Sequence, residues 1–174
     1  MMKTKRFAST LVLVSLLACV PMRAAQAYCS GTDPQWPGSN PDYYAVAKER
    51  ERARYVVIAR SVRETWLGED GRPKSLAPPF QGNAATPNGF DPYAGALYRV
   101  NVLRVLKGKP PASLTLFSEN STARFRLAPG KDYLLFVTED AFAAPIGRRL
   151  TIDTCGHSAP QAEAAETLRR LRGR

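Results

Sequence analysis

The sequence predicts a mainly β domain, a small closed or partly closed antiparallel barrel of five strands with a short helix before it and a capped helix after it. Three observations lead there. Short β-branched and aromatic runs recur along the chain. Gly- and Pro-rich turns separate them. Helical patterns fall only at the two ends of the segment that follows residue 27. A length of 174 residues suits one domain with a sizeable core.

Lys3, Lys5 and Arg6 precede an apolar run from Phe7 to Val20, which Pro21 breaks before an A-x-A site at Ala25-Gln26-Ala27. Residues 1–27 therefore read as a signal peptide, and 28–174 as one exported domain, periplasmic or secreted, that begins at Tyr28. The run is shorter than the ~20 residues of a membrane span. A competing feature is Leu16-Leu17-Ala18-Cys19, a lipobox that would anchor the chain through a lipidated Cys19; the signal layout favours cleavage after Ala27. The formal charge is +10, and because the signal carries four basic residues and no acid, the domain itself is about +6. That excess permits attraction to polyanions. With Cys19 in the signal, Cys29 and Cys155 remain, most simply as a disulfide in an exported chain. Such a bridge closes a loop of more than a hundred residues, worth ~4–5 kcal/mol on a loop-entropy argument if unstrained.

Tyr28 to Pro41 should lie extended across the domain, pinned by Cys29, with Trp36 as a surface clamp or contact residue. Asn40 and Pro41 look like an N-cap and first helical residue for a helix over Asp42–Ala53. Its Lys48-Glu49-Arg50-Glu51-Arg52 run alternates in sign and reads as a solvated face. Strands are predicted at Arg54–Trp66, Ala96–Leu106, Ser113–Phe117, Tyr133–Val137 and Arg148–Thr154, the fourth being the most apolar and hence central. Arg124–Leu127 reads as a brief strand or bulge. Between the first two strands, Leu67–Gly95 holds five prolines and five glycines. It is too long for an ordinary connection and reads as a contact surface or a floppy insertion, with Phe80, Phe90 and Tyr93 as its aromatic residues. Lys107-Gly108-Lys109 lacks phosphate-loop spacing and is a turn. Asn120-Ser121-Thr122 is a glycosylation sequon. Ser158 followed by Gln161 fits a capping box for a last helix whose Ala164, Leu168 and Leu171 form one apolar stripe.

Val56–Val62, Tyr98–Gly108, Pro129–Phe136 and Asp153-Thr154-Cys155 come in the order found in the netrin-like domains of tissue inhibitors of metalloproteinases. The chain resembles most closely small exported bacterial proteins with that OB-like barrel, over most of Tyr28–Leu171 apart from the long loop. The resemblance implies a non-catalytic protein-binding module, with a protease, specifically a metalloendopeptidase, as the implied partner. The contacts would come from Tyr28, Cys29 and Trp36 together with Phe80, Phe90 and Tyr93. Two departures go together. The family opens with Cys-x-Cys and pairs its first cysteine with one near Arg124, whereas here Ala27-Tyr28-Cys29 and Ala123-Arg124 lack both partners. The surviving pair, Cys29 with Cys155, matches the family's second bridge. Without the N-terminal cysteine whose amine and carbonyl chelate zinc in the animal inhibitors, zinc chelation is not implied.

An enzyme has little to stand on: the chain has one histidine, His157, and a disulfide would consume both thiols. Neither a metal site nor a cofactor is predicted. The rival to a protein partner is an anionic envelope polymer or lipid bound through Arg60, Arg63, Arg99, Arg104, Arg124 and Arg126; intracellular nucleic acid is not expected of an exported chain. An envelope structural component is a third possibility.

Overall fold

A computed structural model describes residues 45–74, 93–120, 125–153 and 155–172. In chain order these form α1 (Val46–Arg52), β1 (Tyr55–Gly68), β2 (Tyr93–Lys107), β3 (Ser113–Glu119), β4 (Asp132–Ala141), β5 (Arg148–Ile152), the two-residue β6 (Ala159–Pro160), a 3-10 turn (Gln161–Glu163) and α2 (Ala165–Arg172). The fold is mainly β with two α-helices, and its six-stranded sheet closes into a ring. β1 pairs with β2, β2 with β3, β3 with β5 and β5 with β4; β4 returns to β1, and β6 adds to β4.

The pairing of β3 with β5 is parallel, through Leu116 opposite Leu150 and Phe117 opposite Thr151. This corrects the expectation of a wholly antiparallel barrel, and the reason is one of parity. Each antiparallel pairing reverses strand direction, so five reversals around a closed five-membered ring cannot return a strand to its own direction. One pairing must be parallel, and Thr151 Oγ1 reinforces it by donating to the Phe117 carbonyl at 2.9 Å.

Alternation along the strands fills the ring. Val57, Ala59, Trp66, Tyr98, Leu116, Leu135 and Val137 belong to one buried cluster inside it. Polar groups there are partnered: the Tyr98 hydroxyl donates to Glu64 at 2.8 Å, and Ser61 Oγ donates to the Leu127 carbonyl at 3.2 Å. β4 is buried on both faces from Tyr133 to Val137. Its even residues Leu134 and Phe136 pack with Val56 against Val46 and Ala53 of the α1 region and against Ala164, Leu168 and Leu171 of the α2 region. A third cluster, Leu67, Phe117 and Ile146 with Phe142, covers the far end of the sheet. The rings of Phe117 and Phe142 meet edge to face at 4.7 Å.

Lys107, at the end of β2, turns its ammonium to the carbonyls of Arg50, Glu51 and Ala53. It thereby satisfies the unpaired C-terminal carbonyls of α1 with a cation where the helix dipole favours one. Gly108 follows with φ of +81°, and a side chain there would meet the Arg54 carbonyl.

Three further expectations are corrected. Ser158 does not cap a helix: its Oγ accepts the Phe136 N–H at 2.9 Å, and α2 starts only at Ala165, after β6 and the 3-10 turn. The first two strands run beyond the predicted ends, to Gly68 and from Tyr93, so less of 67–95 is loop. Phe125–Ala128 joins no ladder, although Leu127 is fully buried. Asn40, Pro41 and residues 75–92 lie outside the described residues.

Candidate functional site

Register places the arginines of the β1–β2 ribbon. Arg63 stands directly opposite Arg99, and Arg60 opposite Asn101. Cross-strand partners share a face, as do Arg99 and Asn101 two residues apart. Arg104 is exposed farther along β2, opposite Ile58. Helices cover the outside of β1 and β4 lower down, but Arg60, Arg63, Arg99 and Arg104 all remain exposed. Their charges are not equivalent. Arg60 grips Asp132 with two hydrogen bonds, Nε to Oδ1 at 2.7 Å and Nη2 to Oδ2 at 2.9 Å. Arg99 Nε reaches only Ser113 Oγ, at 3.4 Å. Among the described residues, Arg63, Arg99 and Arg104 have no acidic partner. Like charges directly opposite across a ladder cost stability, so Arg63 and Arg99 form a site that an anion would relieve.

The Arg60–Asp132 pair fixes a pH prediction. Hydrogen bonding from Arg60 holds the Asp132 carboxyl below its ordinary value, more strongly than desolvation raises it. A carboxylate depressed on folding contributes stability that is complete above its unfolded pKa, near 3.9, and is lost as pH falls through the lower folded value. In a carboxyl NMR titration, Asp132 should titrate below the ordinary carboxylate range, and Arg60→Gln should move it upward. An unchanged midpoint in that variant would show the pair to be absent in solution.

A second feature is an acidic cleft of about 560 Å³ between α1 and the β3–β5–β4 wall, lined among others by Glu49, Glu119, Glu139, Asp140 and Asp153. Glu139 is held by Arg54 and Arg148. Glu49 corrects the reading of its helix face as solvated: it is 2% exposed. Its carboxylate accepts the His157 N–H at 2.8 Å and lies 2.7 Å from the His157 ring Nδ1. The chain passes so close that a side chain on Gly156 would collide with Glu49 Oε1. Neither the run of alternating charges nor a lone histidine exposed this pair. The available signal was spacing: Val46, Glu49 and Ala53 sit at i, i+3 and i+7, a buried stripe with an acid in it.

Cys155, just before this contact, is disulfide-bonded, and its N–H donates to Asp153 Oδ1 at 2.9 Å. Cys29, Tyr28, Trp36, Phe80, Phe90 and Arg124 lie outside the described residues. Tyr93 opens β2 and meets Trp66 edge to face at 5.6 Å, half-buried against the ring interior. Arg126 is exposed, apart from the ribbon in sequence. The other acidic residues are engaged elsewhere: Glu64 is bound to Tyr98, and Asp70 accepts the Arg72 N–H and pairs with Lys74, whereas Glu119, Glu139 and Asp140 share the cleft. No protein-family model matches the chain, and no curated protein matches it. The resemblance to netrin-like domains rests on the order of its motifs.

Proposed function

We propose that the chain is an exported, non-catalytic binding module of OB-like build whose ligand is an anionic component of the cell envelope, held on the β1–β2 ribbon. The ring order and the path that returns β4 to β1 support an OB-like barrel, a fold that presents strand faces to polymeric ligands. The observation that carries the ligand class is the opposed pair Arg63 and Arg99, exposed and without an acidic partner among the described residues. A second reading, an inhibitor-type protein contact, draws support from the acidic cleft, whose lining residue Asp153 precedes the disulfide-bonded Cys155 by two positions.

Retention of the processed protein on a soluble polyanion such as heparin tests the first reading. If three arginines each release about one counterion, affinity should fall roughly 20- to 40-fold between about 50 and 200 mM salt. The double variant Arg63→Ser/Arg99→Ser should lose most of the binding and most of the salt dependence. Binding that ignores salt, or that survives in the double variant, overturns this reading and leaves the protein contact.

A further inference from the structure

We infer that the anionic ligand is a lipid surface, and that the β1–β2 ribbon docks on it with arginines on headgroups and apolar side chains between them; this rests on the anionic-ligand reading above. Only three large apolar side chains are exposed among the described residues: Val62 at 46%, Leu103 at 51% and Val105 at 46%. All three lie on this ribbon, and each is next to an arginine in sequence, Val62 beside Arg63 and Leu103 and Val105 on either side of Arg104.

The exposure of Val62 and Leu103 has a structural cause. The pairing of β1 with β2 runs from Ser61 opposite Val100 to Arg63 opposite Arg99, so Val62 has no partner. It runs from Ile58 opposite Arg104 to Ala59 opposite Val102, so Leu103 has none either. Val62 and Leu103 are thus the extra residues of two β-bulges. A regular strand sends successive side chains to opposite faces, so one of any neighbouring pair would be turned inward. A bulge breaks that rule and re-aims a side chain. Here it leaves Val62 and Arg63 exposed in succession on β1, and Leu103 and Arg104 exposed in succession on β2; Val105, also exposed, is paired regularly opposite Val57.

Charge decides what covers this surface. Isolated exposed apolar side chains need no explanation, but these are interleaved with Arg63, Arg99 and Arg104, which have no acidic partner among the described residues, on a domain of about +6 charge. A soluble polyanion satisfies arginines and leaves Val62, Leu103 and Val105 in water. An anionic bilayer satisfies both, because its headgroups attract arginines while the acyl boundary accepts small apolar side chains. Each signal alone gives weak, reversible binding, and the two together hold.

The test is co-sedimentation of the processed protein with phosphatidylglycerol–phosphatidylcholine vesicles and with phosphatidylcholine vesicles, run beside heparin retention. Wild type should bind the anionic vesicles and not the zwitterionic ones. Arg63→Ser/Arg99→Ser should lose about 30-fold in vesicle affinity. Val62→Ser/Leu103→Ser/Val105→Ser truncates side chains that are each about half exposed, so a modest loss of thermal stability is expected, and heparin retention serves as the check that the variant is folded. That variant should lose about tenfold or more on vesicles while keeping its heparin retention. Heparin binding without vesicle binding overturns the lipid inference and leaves the anionic-ligand reading standing; failure on both overturns both. Equal vesicle binding by the triple variant also overturns the inference. So does a wild-type dimer that the triple variant dissociates, since it would assign these residues to a second copy of the chain.

Discussion

Leu135→Ala should destabilise the fold by about 3–5 kcal/mol, and Leu134→Ala, one residue away, by nearly as much but in a different place. Both side chains are fully buried on β4, so each truncation removes transfer energy and leaves a cavity in a close-packed region. Leu135 points into the ring with Val57, Tyr98 and Leu116. Every strand leans on that cluster, so its loss should raise hydrogen exchange across the sheet together, along with the global unfolding equilibrium. Leu134 faces Val46, Ala53, Phe136 and Ala164 instead. Its loss should first free α1 and α2 to open, with exchange rising there before it rises in β2 and β3. Denaturant unfolding together with site-resolved exchange separates the two. If Leu134→Ala accelerates β2 and β3 as much as the helices, the helices are not a separable layer.

Gly156→Ala should cost about 2–4 kcal/mol, far more than a methyl group added to a turn would ordinarily cost. The new Cβ would collide with Glu49 Oε1 and meet Glu49 Cδ at 2.7 Å. The carboxylate would have to leave its buried seat and give up the His157 N–H and ring contact. Because the clash is with one side chain, the effects must be coupled. Glu49→Ala alone is also destabilising, since it leaves the His157 N–H without its acceptor, but in the presence of Gly156→Ala it removes the obstruction. The double variant should therefore be more stable than the sum of the two losses predicts, by at least about 1 kcal/mol. Strict additivity in a double-mutant cycle would mean that Gly156 and Glu49 do not touch in solution.

The strands were legible because their signals are local. Tyr133–Val137 reads as a strand buried on both faces from composition alone, and it packs one cluster with its odd residues and another with its even ones. The turn at Lys107-Gly108-Lys109 was also visible, but not that Lys107 would cap α1, because its acceptors lie more than fifty residues earlier. Ser158 shows how local reasoning goes astray. A small hydroxyl residue two positions before a proline has the makings of an N-cap, yet the N–H of Phe136, brought in by the fold, took the oxygen first. Glu49 and His157, 108 residues apart, carry no mutual signal at all. On the ribbon, the alternation of Ala96–Leu106 was apparent, but a bulge is a property of two strands in register. Neither strand by itself announces that Val62 and Leu103 will be left without partners.

The parity of the ring also sets where it would part. Four of its five joints are antiparallel ladders of five or more partners. The fifth is the obligatory parallel joint, with two partners and the Thr151 hydroxyl as a rivet. Local opening goes through the fewest and weakest bonds, so the ring is less a hoop than a clasp, hinged everywhere else and fastened at β3 and β5. Ser118, Glu119, Thr151 and Ile152, on either side of that fastening, are also wall residues of the acidic cleft. The cleft and the clasp open along the same line.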